Sequence, residues 1–209
     1  MKNEFNAEST TEDVLKGHDL SGLRILVTGA SAGLGVETAR ALVAHGAEVI
    51  GAVRDIDKGK LATQIVHEAA IQGGGKFSLI QLDLADLDSV RSCAGKLRDS
   101  VSALDIIIAN AGVMATPFGL TKEGFEIQIG TNFIGHFVLV NRLFPLLKKG
   151  GRVVILSSGA HSRANIDLND FNFTHSRYDP WIAYGRSKTA DALFALELDR
   201  RAQRYGIRA

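Results

Sequence analysis

Short apolar runs alternate with longer helical segments along most of the 209-residue chain. The apolar runs predict five strands, at residues 24–28, 48–53, 77–82, 104–109 and 152–156. Apolar residues at helical spacing predict helices at residues 34–45, 57–72, 89–100, 127–149 and within 181–205. Strands that are apolar on both faces and separated by helices are typical of a parallel sheet covered on both sides. The sequence therefore predicts a doubly wound α/β fold of the Rossmann type, with three α/β/α layers.

Length, composition and charge limit the number of domains in the chain and the classes of partner that it can bind. We assign residues 21–209 to one domain and residues 1–20 to an N-terminal arm. The arm lacks the apolar centre of a signal peptide, and no apolar run approaches the ~20 residues of a membrane span. We therefore expect a cytoplasmic protein without a membrane span. A net charge of +1 argues against nucleic acid as a partner, and the single Cys93 and six scattered histidines predict no metal site.

The first predicted strand runs into a glycine-rich turn with the sequence TGASAGLG, which holds Gly29, Gly33 and Gly35. Glycines at such a turn let a ligand approach the backbone, and the N–H groups of the following helix attract a phosphate. The same turn also suits close helix–sheet packing without any ligand. Its place after the first strand of a βαβ unit favours dinucleotide binding.

The end of the second predicted strand bears on which dinucleotide is bound. An acid at this place usually bonds the ribose 2′-hydroxyl of NAD, whereas an arginine suits the 2′-phosphate of NADP. Val53 occupies the place of the acid and Arg54 follows it, while Asp55 is better placed to cap the next helix. The sequence favours NADP over NAD, the alternative being that Arg54 is a solvated loop charge.

Polar residues with catalytic potential fall near the carboxyl edge of the predicted sheet. Tyr184 and Lys188 are four residues apart and share a helix face, and a nearby ammonium stabilises a phenolate. A solvated tyrosine beside a surface lysine is the alternative. Ser158 and Asn110 each follow a strand, where parallel sheets bind ligands. Asn132, inside a predicted helix, is either satisfied in the core or holds a water.

Together and in this order, these motifs resemble those of the short-chain dehydrogenase/reductase superfamily, from Asp19 to the end of the chain. TGASAGLG resembles the cofactor loop of the family, Asp83-Leu84 resembles the pair beside the adenine ring, and ANAG at 109–112 resembles the family's NNAG. With Arg54 added, these motifs imply an NADP site formed by Gly29, Ser31, Ala32, Gly33, Leu34, Gly35, Arg54, Asp83, Leu84, Asn110, Ala111, Gly112, Tyr184 and Lys188.

The resemblance also implies a catalytic tetrad and a reaction. The hydride would move between the nicotinamide and a carbonyl or carbinol carbon, while Tyr184 exchanges a proton with the substrate oxygen. Ser158 would hydrogen-bond that oxygen, Lys188 would bind the nicotinamide ribose, and Asn132 would hold a water. The competing interpretation is a non-catalytic dinucleotide-binding module or an inactive fragment.

A closer resemblance is to the branch that contains retinol dehydrogenases and WW-domain oxidoreductases. It is carried by the segments AVRD, DKGK, SSGAH and YDPWIAYGRSKTADALFALELDRR. In that branch the stretch between the serine and the tyrosine, here residues 159–183, is long and borders the substrate pocket. Its aromatic residues suggest an apolar carbonyl or alcohol substrate, unless they serve in packing.

The resemblance carries two further expectations. Members of the superfamily continue into a sixth and a seventh strand, so we expect the C-terminal strands of the family to be missing from these 209 residues. Two long helices often form a dimer face in the family, which implies a possible homodimer. Phe137, Val140 and Leu143 would then belong either to that interface or to the core.

Overall fold

The computed structural model describes residues 5–209 of the chain. Five parallel strands form one sheet in the order β3-β2-β1-β4-β5. They are β1 (Arg24–Thr28), β2 (Glu48–Val53), β3 (Lys76–Gln81), β4 (Leu104–Ala109) and β5 (Leu147–Ile155). The predicted doubly wound α/β fold is confirmed, and the strand order reverses between β1 and β4.

Helices cover both faces of the sheet. They are α1 (Thr11–Leu15), α2 (Gly33–Ala44), α3 (Ile56–Ala62), α4 (Gln64–Gly73), α5 (Leu87–Ser100), α6 (Gly135–Leu143) and α7 (Pro180–Ala202). Apolar side chains of α2 and α4 pack on one face, and those of α5, α6 and α7 pack on the other. The alternation of strand side chains explains this division, since Ile25 and Val27 face one layer while Leu26 faces the other.

Two of the predicted helices have different bounds in the structure. The segment predicted as one helix at 57–72 is divided at Thr63, which ends α3 and precedes α4. The helix predicted at 127–149 is too long. It begins as a π-helical turn (Ile129–Ile134), continues as α6 and ends in a 3-10 turn that contains Pro145, and residues 147–149 belong to β5. Proline lacks the N–H that a continuing helix requires, which explains this end.

Both ends of the described chain contact the domain. In α1, Thr11 donates a hydrogen bond to Glu37 of α2, and Glu12 forms an ion pair with Arg40. At the other end, the backbone of Arg208 pairs with that of Arg152 in β5 as an isolated parallel β-bridge. Across residues 5–209, no helix is both long and apolar enough to cross a membrane.

The three residues that the sequence left open between interface and core differ in burial. Val140 and Leu143 are fully buried in the core between α6 and the sheet. Phe137 is 43% exposed and its ring contacts those of Phe133 and Phe194.

Candidate active site

A cleft of about 500 Å³ opens at the carboxyl ends of the strands, where the strand order reverses between β1 and β4. Ligands of open α/β sheets bind at such a switch point, because the loops leave the sheet in opposite directions there. The cleft is lined by eleven of the residues predicted for the cofactor, namely Gly29, Ser31, Ala32, Leu34, Gly35, Arg54, Asp83, Leu84, Asn110, Ala111 and Gly112.

The remaining predicted cofactor residues, Gly33, Tyr184 and Lys188, do not line this cleft. Gly33 has a φ of +53° and begins α2, so its part is to shape the turn. Sequence reasoning missed six lining residues, most of them small or apolar and without any chemical signal: Ala52, Leu82, Ala85, Val113, Ile127 and Thr131.

The glycine turn leaves no room for side chains at two positions. A Cβ on Gly35 would collide with the carbonyl oxygen of Gly29 and lie 2.7 Å from the amide nitrogen of Asn110. Gly29 has a φ of +71°, and a Cβ there would lie 2.9 Å from Cα of Ala111. Beside this corner, the N-cap residue Ala32 provides no side-chain acceptor for the first N–H groups of α2. The corner therefore presents bare backbone donors to the cleft, as a phosphate requires.

Thr28 ties the glycine turn to the loop after β4. Its hydroxyl oxygen accepts hydrogen bonds from the backbone N–H groups of Asn110 and Ala111, each at 3.0 Å. The side-chain amide of Asn110 donates in return to the Thr28 carbonyl at 2.9 Å. The two loops that line the cleft are thus fixed to each other through hydrogen bonds at the strand ends.

Arg54 and Asp55 take the places that the sequence predicts. The carboxylate of Asp55 accepts hydrogen bonds from the N–H groups of Asp57 and Lys58 and caps α3. The Arg54 side chain lines the cleft, and within residues 5–209 no acid pairs with its guanidinium. An arginine that lines the cleft without an acidic partner suits an anionic ligand group.

The π-helical turn places Asn132 in the interior, where it is fully buried. Its side-chain oxygen accepts from the Val113 N–H at 2.8 Å, and its amide donates to the Val113 carbonyl and to the Ser187 hydroxyl, both at 2.9 Å. The side chain is therefore satisfied within the protein, and the main-chain carbonyl oxygen of Asn132 lies 2.7 Å from Nδ1 of His136. Such π-helical turns are frequent at functional sites.

Tyr184 and Lys188 share one face of α7, as predicted. The Lys188 ammonium lies 5.8 Å from the centre of the Tyr184 ring and donates to the Leu156 carbonyl at 2.8 Å. It also forms a buried ion pair with Asp191, at 3.0 Å. Burial raises the pKa of Asp191 to about 6, against the opposing effect of the Lys188 charge.

The two serines after β5 have different contacts. The Ser158 hydroxyl accepts from the Ala160 N–H at 3.2 Å and caps the 3-10 turn Gly159–Arg163. The Ser157 hydroxyl instead donates to the main-chain carbonyl of Lys188 at 2.8 Å. Ser157 thereby fastens the end of β5 to the helix that carries Tyr184, a contact that sequence reasoning missed.

The long stretch before Tyr184 is held by its own polar contacts. The Tyr178 hydroxyl contacts the buried side chains of Glu126 and Gln128, and the Arg186 guanidinium lies 4.2 Å from the centre of the Phe173 ring. Phe173 thus serves in packing, one of the two roles that the sequence left open. Trp181, which is half exposed, packs edge-on against Tyr184.

Residues 24–209 match the sequence pattern of the family described as short chain dehydrogenase. The chain belongs to the short-chain dehydrogenase family. The "Probable oxidoreductase" of Streptomyces lividans is 48% identical over 181 residues, which are 85% of this chain and 59% of that protein. Human retinol dehydrogenase 13 is 39% identical, over 90% of this chain and 57% of that protein. The WW domain-containing oxidoreductase of Gallus gallus is 34% identical, over 99% of this chain and 51% of that protein.

Solved structures of short-chain dehydrogenases and similar proteins share this fold. An uncharacterised protein from Mycobacterium paratuberculosis superposes with a TM-score of 0.80 and 46% identity, covering 91% of this chain and 67% of that one. The angucycline C-6 ketoreductase LanV with bound NADP superposes with a TM-score of 0.70 and 28% identity, covering 90% of this chain and 70% of that one. The chain is thus an oxidoreductase-family domain that spans less than two thirds of the length of the curated relatives it matches.

Proposed function

We propose that the cleft binds NADP(H) and that the protein transfers a hydride between the nicotinamide and a carbonyl or alcohol substrate. The observation that carries this proposal is the corner formed by Gly29 and Gly35, where a Cβ would collide with backbone. Because these two positions carry no side chain, the start of α2 lies close against the end of β1 and its backbone lines the cleft. The unpaired N–H groups of α2 beside it match a pyrophosphate.

Arg54 supports a preference for NADP over NAD. Arg54 lines the cleft at the end of β2, and the neighbouring Asp55 is engaged as the cap of α3. The carboxylate that would bond a ribose 2′-hydroxyl is therefore replaced by a cation that suits a 2′-phosphate. The NADP bound in the LanV structure agrees with this preference.

Four residues of this protein have roles in the proposed reaction. A dinucleotide held in the cleft would supply a hydride to a carbonyl carbon, or accept one from a carbinol carbon. In carbonyl reduction Tyr184 donates its phenolic proton to the substrate oxygen while Ser158 hydrogen-bonds that oxygen. Lys188 binds the nicotinamide ribose and stabilises the phenolate that Tyr184 leaves behind. Asn132 would hold a water through which the proton is replaced.

The substrate is expected to be apolar around its reacting carbon. The half-exposed Trp181 ring packs against Tyr184 and offers a flat apolar surface beside the proposed proton donor. We further propose that residues 1–20, of which residues 1–4 lie outside the described part of the chain, form an arm on the dinucleotide-binding domain of residues 21–209. We also propose that the protein is cytoplasmic and that α6 and α7 contribute to a homodimer through Phe137.

Turnover of NADPH with a panel of ketones and aldehydes, followed by absorbance, tests this proposal. We expect consumption by the wild type and its loss in Tyr184→Phe, with NADPH affinity kept. Tyr205→Phe is the matched control, because Tyr205 packs on Phe144 away from the cleft. Equal turnover in Tyr184→Phe would contradict the role of Tyr184. Binding of NADPH without turnover of any substrate would favour the non-catalytic binding module.

A further inference from the structure

His136 is a buried residue of α6 for which the proposed reaction has no use. It is 1% exposed and lies one helical turn after Asn132. Both of its ring nitrogens are in hydrogen bonds, Nδ1 at 2.7 Å from the Asn132 carbonyl oxygen and Nε2 at 2.8 Å from the Thr28 hydroxyl. The ring therefore spans from the end of β1 to the π-helical turn.

The partners of His136 determine its tautomer. A carbonyl oxygen only accepts, so Nδ1 must carry a proton and donate it to Asn132. Burial, with a smaller contribution from the Lys188 charge, lowers the pKa of His136 to about 4, and the ring is neutral at pH 7. A neutral ring has one proton, which leaves Nε2 as an acceptor for the Thr28 hydroxyl.

The Thr28 hydroxyl then has all its hydrogen-bonding capacity used. Its one proton goes to His136, because the other acceptor in reach, the Ile108 carbonyl, lies at 3.5 Å and is too distant for a good bond. Its oxygen accepts from the N–H groups of Asn110 and Ala111. The hydrogen bonds of this chain therefore all point the same way. The N–H groups of the loop after β4 donate to the Thr28 hydroxyl, which donates to His136, which in turn donates to the Asn132 carbonyl.

We propose that His136 is a positioning residue that sets the spacing between the cofactor-facing loop after β4 and the Asn132 carbonyl. This inference rests on the proposed binding of a dinucleotide in the cleft. A rigid imidazole with its two nitrogens on opposite sides reaches both partners at once. An apolar ring of similar size fills the same volume but leaves the Thr28 hydroxyl without its acceptor and the Asn132 carbonyl without the Nδ1 donor.

The ring itself can be observed by ¹⁵N NMR of the wild-type chain. We expect a neutral imidazole with its proton on Nδ1 at pH 7, and no titration of that ring between pH 8 and pH 5. A proton on Nε2, or titration near pH 6.5, would overturn the inference. This readout needs neither a cofactor nor turnover.

Calorimetric titration with NADPH tests the positioning role. We expect His136→Phe to bind NADPH about tenfold more weakly than the wild type, the effect of one or two lost hydrogen bonds. His67→Phe is the matched control, because His67 is exposed and packs on Phe77 at a distance from the cleft. A folded His136→Phe that binds as tightly as the wild type would overturn the inference.

A second pair of variants keeps the test independent of the folding of His136→Phe. Thr28→Val removes the hydroxyl at nearly constant volume and should weaken NADPH binding about tenfold, whereas Thr28→Ser restores the hydroxyl and the affinity. Equal affinities in the two variants would contradict the hydrogen-bonded chain. A wild type that binds no NADPH would overturn the proposed function and this inference together, while wild-type binding with unchanged variants overturns only the inference.

Discussion

The ammonium of Lys188 lies 3.0 Å from the carboxylate of Asp191, and the two residues are 5% and 1% exposed. They are three residues apart on α7 and share a helix face. The second carboxylate oxygen of Asp191 is buried and has no hydrogen-bond partner within residues 5–209. Burial raises the pKa of Asp191, and the neighbouring Lys188 ammonium opposes that effect. Lys188 also donates a hydrogen bond to the Leu156 carbonyl, just after β5, at 2.8 Å.

Removal of one partner of this pair should be costly. We expect Asp191→Ala to lower the free energy of unfolding by about 3 kcal/mol or more, because Lys188 would remain as an uncompensated buried charge. Asp191→Asn keeps an acceptor for Lys188 and should cost less. Urea unfolding followed by circular dichroism measures both. The control is Asp57→Ala, since Asp57 pairs with Lys60 in solvent and such a pair contributes less than about 1 kcal/mol. Equal small losses in Asp191→Ala and Asp57→Ala would contradict this account.

His136 should make stability fall in acid. Its pKa is about 4 in the folded protein and about 6.5 when unfolded, so unfolding takes up a proton in the window between these values. The stabilisation is fully present above pH 6.5 and is lost as the pH falls to 4, by about 3 kcal/mol. Urea unfolding of wild type and His136→Gln at a series of pH values isolates this contribution. The difference in stability between the two proteins should shrink with falling pH, and a constant difference would contradict the prediction.

Most of the fold was predictable because the apolar runs, the turn residues and the helical periodicity indicate the same strands and helices. The apolar runs at β1, β2 and β4 are bounded by turn residues, and their limits in the structure match the prediction. Helix ends were less predictable, because a break such as that at Thr63 depends on local hydrogen bonds, here from its hydroxyl to the Gly59 carbonyl. The end of α6 had a visible signal in Pro145, which the apolar periodicity around it outweighed.

Residues of the candidate site were predictable where their type and spacing indicate a binding or catalytic role. Residues that only pack against the site or position its side chains were not predictable in this way. Glycine spacing and the Tyr184/Lys188 pair are visible in sequence. Asp191 was missed although its spacing from Lys188 is a signal for an ion pair, because nothing in the sequence shows that it is buried. The link through His136 joins residues 108 positions apart, and only the folded chain brings them together.

The close approach at Gly35 gives a prediction about backbone geometry. Gly35→Ala places a Cβ against the Gly29 carbonyl, so we expect a loss of about 2 kcal/mol in stability and at least tenfold weaker NADPH binding. Gly95→Ala is the matched control, because Gly95 lies within α5 with open space around its Cβ position. That substitution should leave binding unchanged and raise stability by up to about 1 kcal/mol. Thermal unfolding and calorimetry distinguish the two, and wild-type behaviour of Gly35→Ala would contradict the proposed corner.

Arg54 should discriminate between the two dinucleotides. We expect Arg54→Ala to weaken NADPH binding about tenfold to a hundredfold, the range for a lost charge-assisted hydrogen bond, with little effect on NADH. Lys58→Ala serves as the control, because the Lys58 side chain is 85% exposed and its nearest acid is 3.9 Å away. Fluorescence titration of each variant with both dinucleotides gives the comparison. Equal losses for NADPH and NADH would remove the argument for recognition of a 2′-phosphate.

The central claim is that the cleft between β1 and β4 binds a nicotinamide dinucleotide with preference for NADPH. Calorimetric titration of the 209-residue chain, first with NADPH and then with NADH, tests it most directly. We predict saturable binding of NADPH at one site per chain and weaker binding of NADH. A folded chain that gives no binding heat with either dinucleotide, and no change in melting temperature in their presence, would contradict the claim.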